Sequence, residues 1–130
     1  MARILLIEDS DAIRHMLSRV LEGDGHTVVA ARDGKVGIST FREGPVDLIL
    51  TDMYMPEGDG FEVLIAVQQA QTKRPPVIAM SAATGDTDML KAARLVGATV
   101  TLHKPFTDVE LLRAVDGALK KPERKAAAAT

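Results

Sequence analysis

The chain has 130 residues, 46% of them hydrophobic and 26% charged, with a formal net charge of −2. That length allows one domain with a real core and is too short for two ordinary ones. The charge balance argues against a nucleic-acid binder driven by bulk electrostatics, and the absence of cysteine excludes disulfides and thiolate metal sites. No apolar run approaches the roughly 20 residues that span a bilayer. The apolar opening is too short for a signal peptide, and Glu8 and Asp9 interrupt it. A cytoplasmic protein without membrane attachment is the expectation.

Taken in chain order, strand-like and helix-like segments alternate. Arg3-Ile4-Leu5-Leu6-Ile7 reads as a strand that stops at Glu8-Asp9. Residues 10–22 read as a helix capped by Ser10, with Leu17, Val20 and Leu21 on one face. Residues 26–31 are β-rich and follow the Gly23-Asp24-Gly25 turn. Residues 33–43 look helical but weak, because Gly34 and Gly37 lie inside. A third strand, 46–51, stops at Asp52, and Pro56 to Gly60 carries strong turn chemistry. Residues 61–71 read as a helix with Phe61, Leu64, Ile65 and Gln68 on successive turns. A fourth strand, 77–80, stops at Ser81. A helix over 84–96 is stopped by Gly97, an expected C-cap glycine. The fifth strand, 99–102, is soon followed by Lys104-Pro105. Thr107 caps a last helix over 108–120, with Val109, Leu112, Val115 and Leu119 along one side. The domain is expected to span 1–121, and 122–130 to be a disordered tail.

Repeated strand-helix-strand units force parallel strands with right-handed crossovers. Both faces of such a sheet are covered by helices, which explains the continuously apolar strands. The expected fold is α/β: a (βα)5 doubly wound, five-stranded parallel sheet of order 2-1-3-4-5, flavodoxin-like. Its switch point falls between the first and third strands and makes Asp9 and Asp52 neighbours there. Ligand chemistry sits just beyond the carboxyl ends of such strands. Glu8, Asp9, Asp52, Ser81 and Lys104 all stand at those ends.

Three carboxylates at one spot repel, and a hard cation relieves the repulsion. Mg²⁺ takes a few carboxylates, retains water and often bridges to phosphate oxygens. Oxygen ligands beside a single lysine therefore suggest phosphoryl chemistry more than Ca²⁺ storage. A carboxylate can itself be the nucleophile, giving an aspartyl phosphate. The Lys104 ammonium and the Ser81 hydroxyl then suit two of the phosphoryl oxygens.

With these residues in view, the chain resembles the receiver domain of bacterial two-component response regulators, of the stand-alone, chemotaxis-regulator-like kind. The motifs are Ile-Glu-Asp-Ser, Asp-Met-Tyr-Met-Pro-x-x-x-Gly, Met-Ser-Ala and Lys-Pro-Phe, and the resemblance covers about residues 2–120. It implies Asp52 as the phosphoacceptor. It also implies Mg²⁺ held by Asp9, Asp52 and the Met53 backbone carbonyl, with Glu8 acting through a metal-bound water. Ser81 would be the switch hydroxyl, Lys104 would contact the phosphoryl group, and the Lys104–Pro105 bond would be cis. The implied partners are a sensor histidine kinase or phosphotransfer protein, which docks on Ile13, Met16, Pro105 and Phe106, and a downstream protein. No direct nucleic-acid contact is expected, and the chain is expected to be a monomer or weak homodimer. The protein would catalyse only its own phosphorylation and dephosphorylation. It would act as a switch, a relay or a phosphate sink.

Two positions depart from the family pattern. Thr101 stands where the family usually has Tyr or Phe, three residues before the lysine, so the switch cannot use an aromatic swing of the usual form. Tyr54, two residues after the acceptor, is expected to shield an acyl phosphate from water. Plainer readings hold elsewhere. His15, His26 and His103 read as surface residues, and Met53, Met55 and Met80 as packing. Ile13 and Met16 either pack in the core or dock a kinase helix. The rival functions are an aspartate-nucleophile phosphohydrolase, which usually needs a second aspartate where Tyr54 stands, and an interaction module that keeps only the fold.

Overall fold

The computed structural model describes residues 1–55, 60–71, 73–82 and 87–120. Its elements, in chain order, are β1 (Arg3–Ile7), α1 (Asp11–Gly23), β2 (Thr27–Ala31), α2 (Gly34–Glu43), β3 (Leu48–Asp52), α3 (Gly60–Gln68), β4 (Val77–Ala82), α4 (Thr87–Val96), β5 (Val100–Lys104) and α5 (Asp108–Lys120). The strands pair in parallel in the order β2-β1-β3-β4-β5. The fold class read from the sequence is the one observed. The expected helical residues 84–86 and the expected tail, 122–130, lie outside the described residues.

Alternate strand residues feed two cores, because successive side chains point to opposite faces. Leu5, Ile7, Ile49, Val77 and Ala79 face one layer, with Val63, Leu64, Val67 and Ala93. Ile4, Leu6, Leu48, Leu50, Ile78 and Met80 face the other, with Leu17, Leu21, Leu111, Val115 and Ala118. Helices on both faces leave β1, β3 and β4 almost wholly buried.

Local chemistry sets the helix starts. Ser10 caps α1 by accepting from the Ile13 N–H at 3.3 Å, and Asp33 caps α2 by accepting from the Val36 N–H at 2.8 Å. Of the glycines that weaken α2 by propensity, Gly37 has a packing reason. A Cβ on Gly37 would run into Ile7, 2.8 Å from its Cγ1, so glycine lets α2 lie close against β1. Gly97 ends α4 at φ +123, a conformation L side chains rarely adopt.

Four expectations need correction. Strands β3, β4 and β5 run on past the apolar stretches. Asp52 pairs with Met80, Ser81 with His103, and Ala82 with Lys104. The ladder bonds are backbone bonds and are indifferent to side-chain polarity. In α3 the buried residues are Gly60, Val63, Leu64, Ala66 and Val67, while Ile65 is exposed. Five consecutive apolar residues, 63–67, leave the periodicity unable to choose the face. In α5 the buried stripe is Leu111, Val115 and Ala118, with Leu112 and Leu119 only partly buried and Val109 exposed. Finally, His26 is not a free surface residue: its Nδ1 accepts from the Ala2 N–H at 3.1 Å, and its Nε2 lies 3.5 Å from Asp24 Oδ2.

Candidate functional site

The carboxyl ends of β1, β3, β4 and β5 bring the site together. Glu8 directly follows β1 and prolongs its pairing, donating its backbone N–H to the Ala31 carbonyl at 3.1 Å. Its side chain is 1% exposed. Glu8 Oε2 accepts from the Ser10 N–H at 3.0 Å, and Oε1 accepts from Lys104 Nζ at 2.9 Å. The same ammonium donates to Asp52 Oδ2 at 3.2 Å. Asp52 Oδ1 accepts from the Tyr54 N–H at 3.3 Å. Asp9 is exposed and completes the acidic trio: one carboxylate oxygen from each of Glu8, Asp9 and Asp52 lies within 4.8 Å of the other two.

Burial pushes the Glu8 carboxyl above its ordinary range. The Lys104 and Ser10 hydrogen bonds oppose this without cancelling it, and the nearby Asp52 charge adds to the rise. Burial alone would lower Lys104, but its bonds to Glu8 and Asp52 and their charges outweigh that and raise it. Lys104 therefore stays an ammonium at neutral pH.

The donor set fits a hard cation. It offers three carboxylates against one ammonium, together with the Met53 carbonyl. That carbonyl accepts from the Gly60 N–H at 3.3 Å and keeps a second lone pair. Both Glu8 oxygens are already engaged within the protein, which suits contact with an ion through water. Asp9 has no hydrogen-bond partner among the described residues and is available directly.

Ser81 is buried near the end of β4, and its hydroxyl meets Met89 Sδ at 3.7 Å. Thr101 is half-buried on β5 opposite Ala79, two register pairs before Ser81–His103. Tyr54 is 78% exposed, so its ring does not pack over Asp52. The Lys104–Pro105 bond is cis. Ile13, Met16, Pro105 and Phe106 line one groove of about 470 Å³ beside Lys104. Ile13 and Phe106 also pack against the core, whereas Met16 is exposed. Met53, Met55 and Met80 are buried packing residues, and His15 and His103 are exposed, all as expected.

Sequence reasoning assigned no role to three residues here. Arg14 donates from Nη1 to the Glu8 carbonyl at 2.8 Å and pairs with Asp11, tying the acidic loop to α1. Gly60 sits so close to the end of β3 that a Cβ would lie 2.7 Å from the Asp52 carbonyl oxygen and 2.8 Å from Met53 Cα. Met89 holds the Ser81 hydroxyl. Only Gly60 left a trace in the sequence, as the glycine closing the motif that begins at Asp52.

A (βα)5 sheet of this order with an acidic trio and a lysine at its switch point defines a class, and comparison with known proteins agrees. The family model of the response regulator receiver domain matches residues 4–116, and the chain belongs to that family. Its members are phosphorylation-dependent switches of two-component signalling. The chain is 33% identical over 120 residues to the protein PilH of Pseudomonas aeruginosa, covering 92% of this chain and 98% of PilH. It is 33% identical over 121 residues to the transcriptional regulatory protein CpxR of Escherichia coli, covering 93% of this chain and 50% of CpxR. The chain thus spans about half the length of the transcriptional regulators it matches. The structure of the chemotaxis protein CheY4 of Vibrio cholerae superposes with a TM-score of 0.82 at 31% identity, covering 91% of this chain and 98% of that one. Among the described residues no helix is long and apolar enough to cross a membrane.

Proposed function

We propose that Asp52 accepts a phosphoryl group from a histidine kinase or phosphotransfer protein and that its modification changes a protein-contact surface. The observation that carries this reading is the Lys104 ammonium standing between Glu8 and Asp52 beside Asp9. An Asp52 carboxylate oxygen attacks phosphorus. The bond from phosphorus to the donor's imidazole nitrogen breaks, and the imidazole leaves with the electron pair. Lys104 offers its ammonium to a phosphoryl oxygen, and Ser81 offers its hydroxyl to another.

Asp9, Asp52 and the Met53 carbonyl would hold Mg²⁺ directly, with Glu8 acting through water. When bound, Mg²⁺ neutralises charge on the phosphoryl group. The groove bounded by Ile13, Met16, Pro105 and Phe106 opens beside Lys104 and suits an apolar helix face of the donor. The protein's chemistry is then confined to gaining and losing its own phosphoryl group. The new charge and acceptor oxygens at Asp52 bias a two-state surface.

The test is incubation with acetyl phosphate and Mg²⁺. The expected product is a hydroxylamine-sensitive acyl phosphate, absent in Asp52→Asn and in the presence of chelator. Undiminished labelling of Asp52→Asn would place the acceptor elsewhere. No labelling of the wild type by any donor would favour an interaction module that keeps only the fold.

A further inference from the structure

Ser81 has one proton to donate from its hydroxyl. Among the described residues the side chain's only partner is the Met89 thioether, with Oγ 3.7 Å from Sδ. Ser81 is 4% exposed, so water does not readily replace that partner. Met89 is the third residue of α4 and is partly buried against the core layer on that side of the sheet. A thioether sulfur is a weak, uncharged acceptor. A phosphoryl oxygen is charged, and hydrogen bonds to such groups are roughly twice as strong. A single hydroxyl proton serves one of these acceptors at a time.

We propose that Met89 is a positioning residue that holds the Ser81 hydroxyl toward α4 until a phosphoryl group on Asp52 takes it, so that the O–H···S bond couples the acceptor site to the first turn of α4. This rests on Asp52 being the acceptor. The exchange makes the link reciprocal: loading the site frees the start of α4 from β4, and fixing Met89 on Ser81 opposes loading. Lys104 does not supply this link, because its ammonium is engaged by Glu8 and Asp52.

The experiment titrates beryllofluoride with Mg²⁺, a non-covalent stand-in for the phosphoryl group, against the wild type, Met89→Leu, Ser81→Ala and the double variant. Leucine keeps the apolar bulk and removes the acceptor. Met89→Leu is expected to tighten binding about 2- to 5-fold in the wild-type background, the worth of one weak hydrogen bond lost from the unloaded state. In the Ser81→Ala background it is expected to change nothing. A second readout uses protein labelled with ¹³C at the methionine methyls, the Met89 resonance being assigned by its disappearance in Met89→Leu. That resonance is expected to shift on loading in the wild type and to stay in place in Ser81→Ala. Equal effects of Met89→Leu in both backgrounds, or no tightening in the wild type, overturn the proposal while leaving Asp52 as acceptor. A wild-type chain that takes up no beryllofluoride overturns the acceptor reading, and the proposal with it.

Discussion

Lys104 and Glu8, 96 positions apart in sequence, meet at 2.9 Å where β1 and β5 end. The contact joins a partly exposed ammonium to a carboxylate that is almost completely buried. A charge so placed depends on its partner, because water cannot replace it.

Replacing the lysine shows that dependence most directly. In Lys104→Met, Glu8 and Asp52 lose their shared cation while Glu8 stays buried. The metal-free protein is expected to lose about 2 kcal/mol of stability, the scale of a buried group left without its partner. Mg²⁺ is expected to return part of the loss. Urea unfolding with chelator and with Mg²⁺ reads both, and equal stability of variant and wild type in chelator would contradict this account.

The raised Glu8 carboxyl makes stability depend on pH. A group whose folded-state pKa is raised contributes stability that is complete below its unfolded value and lost as pH rises through the folded value. For Glu8 the loss begins as pH climbs past its ordinary 4.5. Lys104 is also raised, from 10.5, so its contribution persists through neutral pH and is lost only in alkali. Metal-free Glu8→Gln is therefore expected to gain in thermal midpoint relative to the wild type as pH rises through the weakly acidic range. A constant difference across that range would mean that burial does not dominate at Glu8.

Asp9 is the exposed member of the trio and the one without a hydrogen-bond partner among the described residues. Asp9→Asn is expected to weaken Mg²⁺ about tenfold or more, the loss of a direct carboxylate ligand, with little change in metal-free stability. Isothermal titration of Mg²⁺ measures the loss, and Asp52→Asn would in addition remove the proposed acceptor. Unchanged Mg²⁺ affinity in Asp9→Asn would remove it from the ligand set.

At Gly60 the nearest atoms include backbone, which cannot swing aside. The added Cβ of Gly60→Ala would press on the Asp52 carbonyl oxygen and Met53 Cα. Overpacking of this kind costs about 1–3 kcal/mol, and here it moves two of the proposed Mg²⁺ ligands. Chemical denaturation and Mg²⁺ titration are expected to show both losses together. Lost stability with intact Mg²⁺ affinity would show that the strain is absorbed away from the site.

Tyr54 donates its backbone N–H to Asp52 while its ring stands in solvent. Any shielding of an acyl phosphate therefore requires the ring to swing over the loaded site. Tyr54→Ala is expected to shorten the lifetime of the phosphoryl group severalfold. Decay of labelled protein after removal of donor measures this, and an unchanged decay rate would limit Tyr54 to its backbone bond.

The pattern of residues along the chain was enough to specify the sheet and the identity of the polar residues along its rim. Apolar runs closed by Glu8, Asp9, Asp52, Ser81 and Lys104 leave few alternatives once helices separate them, because parallel pairing requires crossovers and buried strands tolerate polar groups mainly at their ends. It could not choose the buried faces of α3 and α5, where apolar residues are too numerous or too evenly spread for periodicity to select a stripe. Tertiary packing chose Val63 over Ile65 and Leu111 over Val109, because only the position of the sheet says which side is inside. The same holds within the site. Gly60 beneath the Asp52 backbone, Arg14 on the Glu8 carbonyl and Met89 on the Ser81 hydroxyl are contacts between elements. Their partners are fixed by distances in space, and separation along the chain carries no record of them.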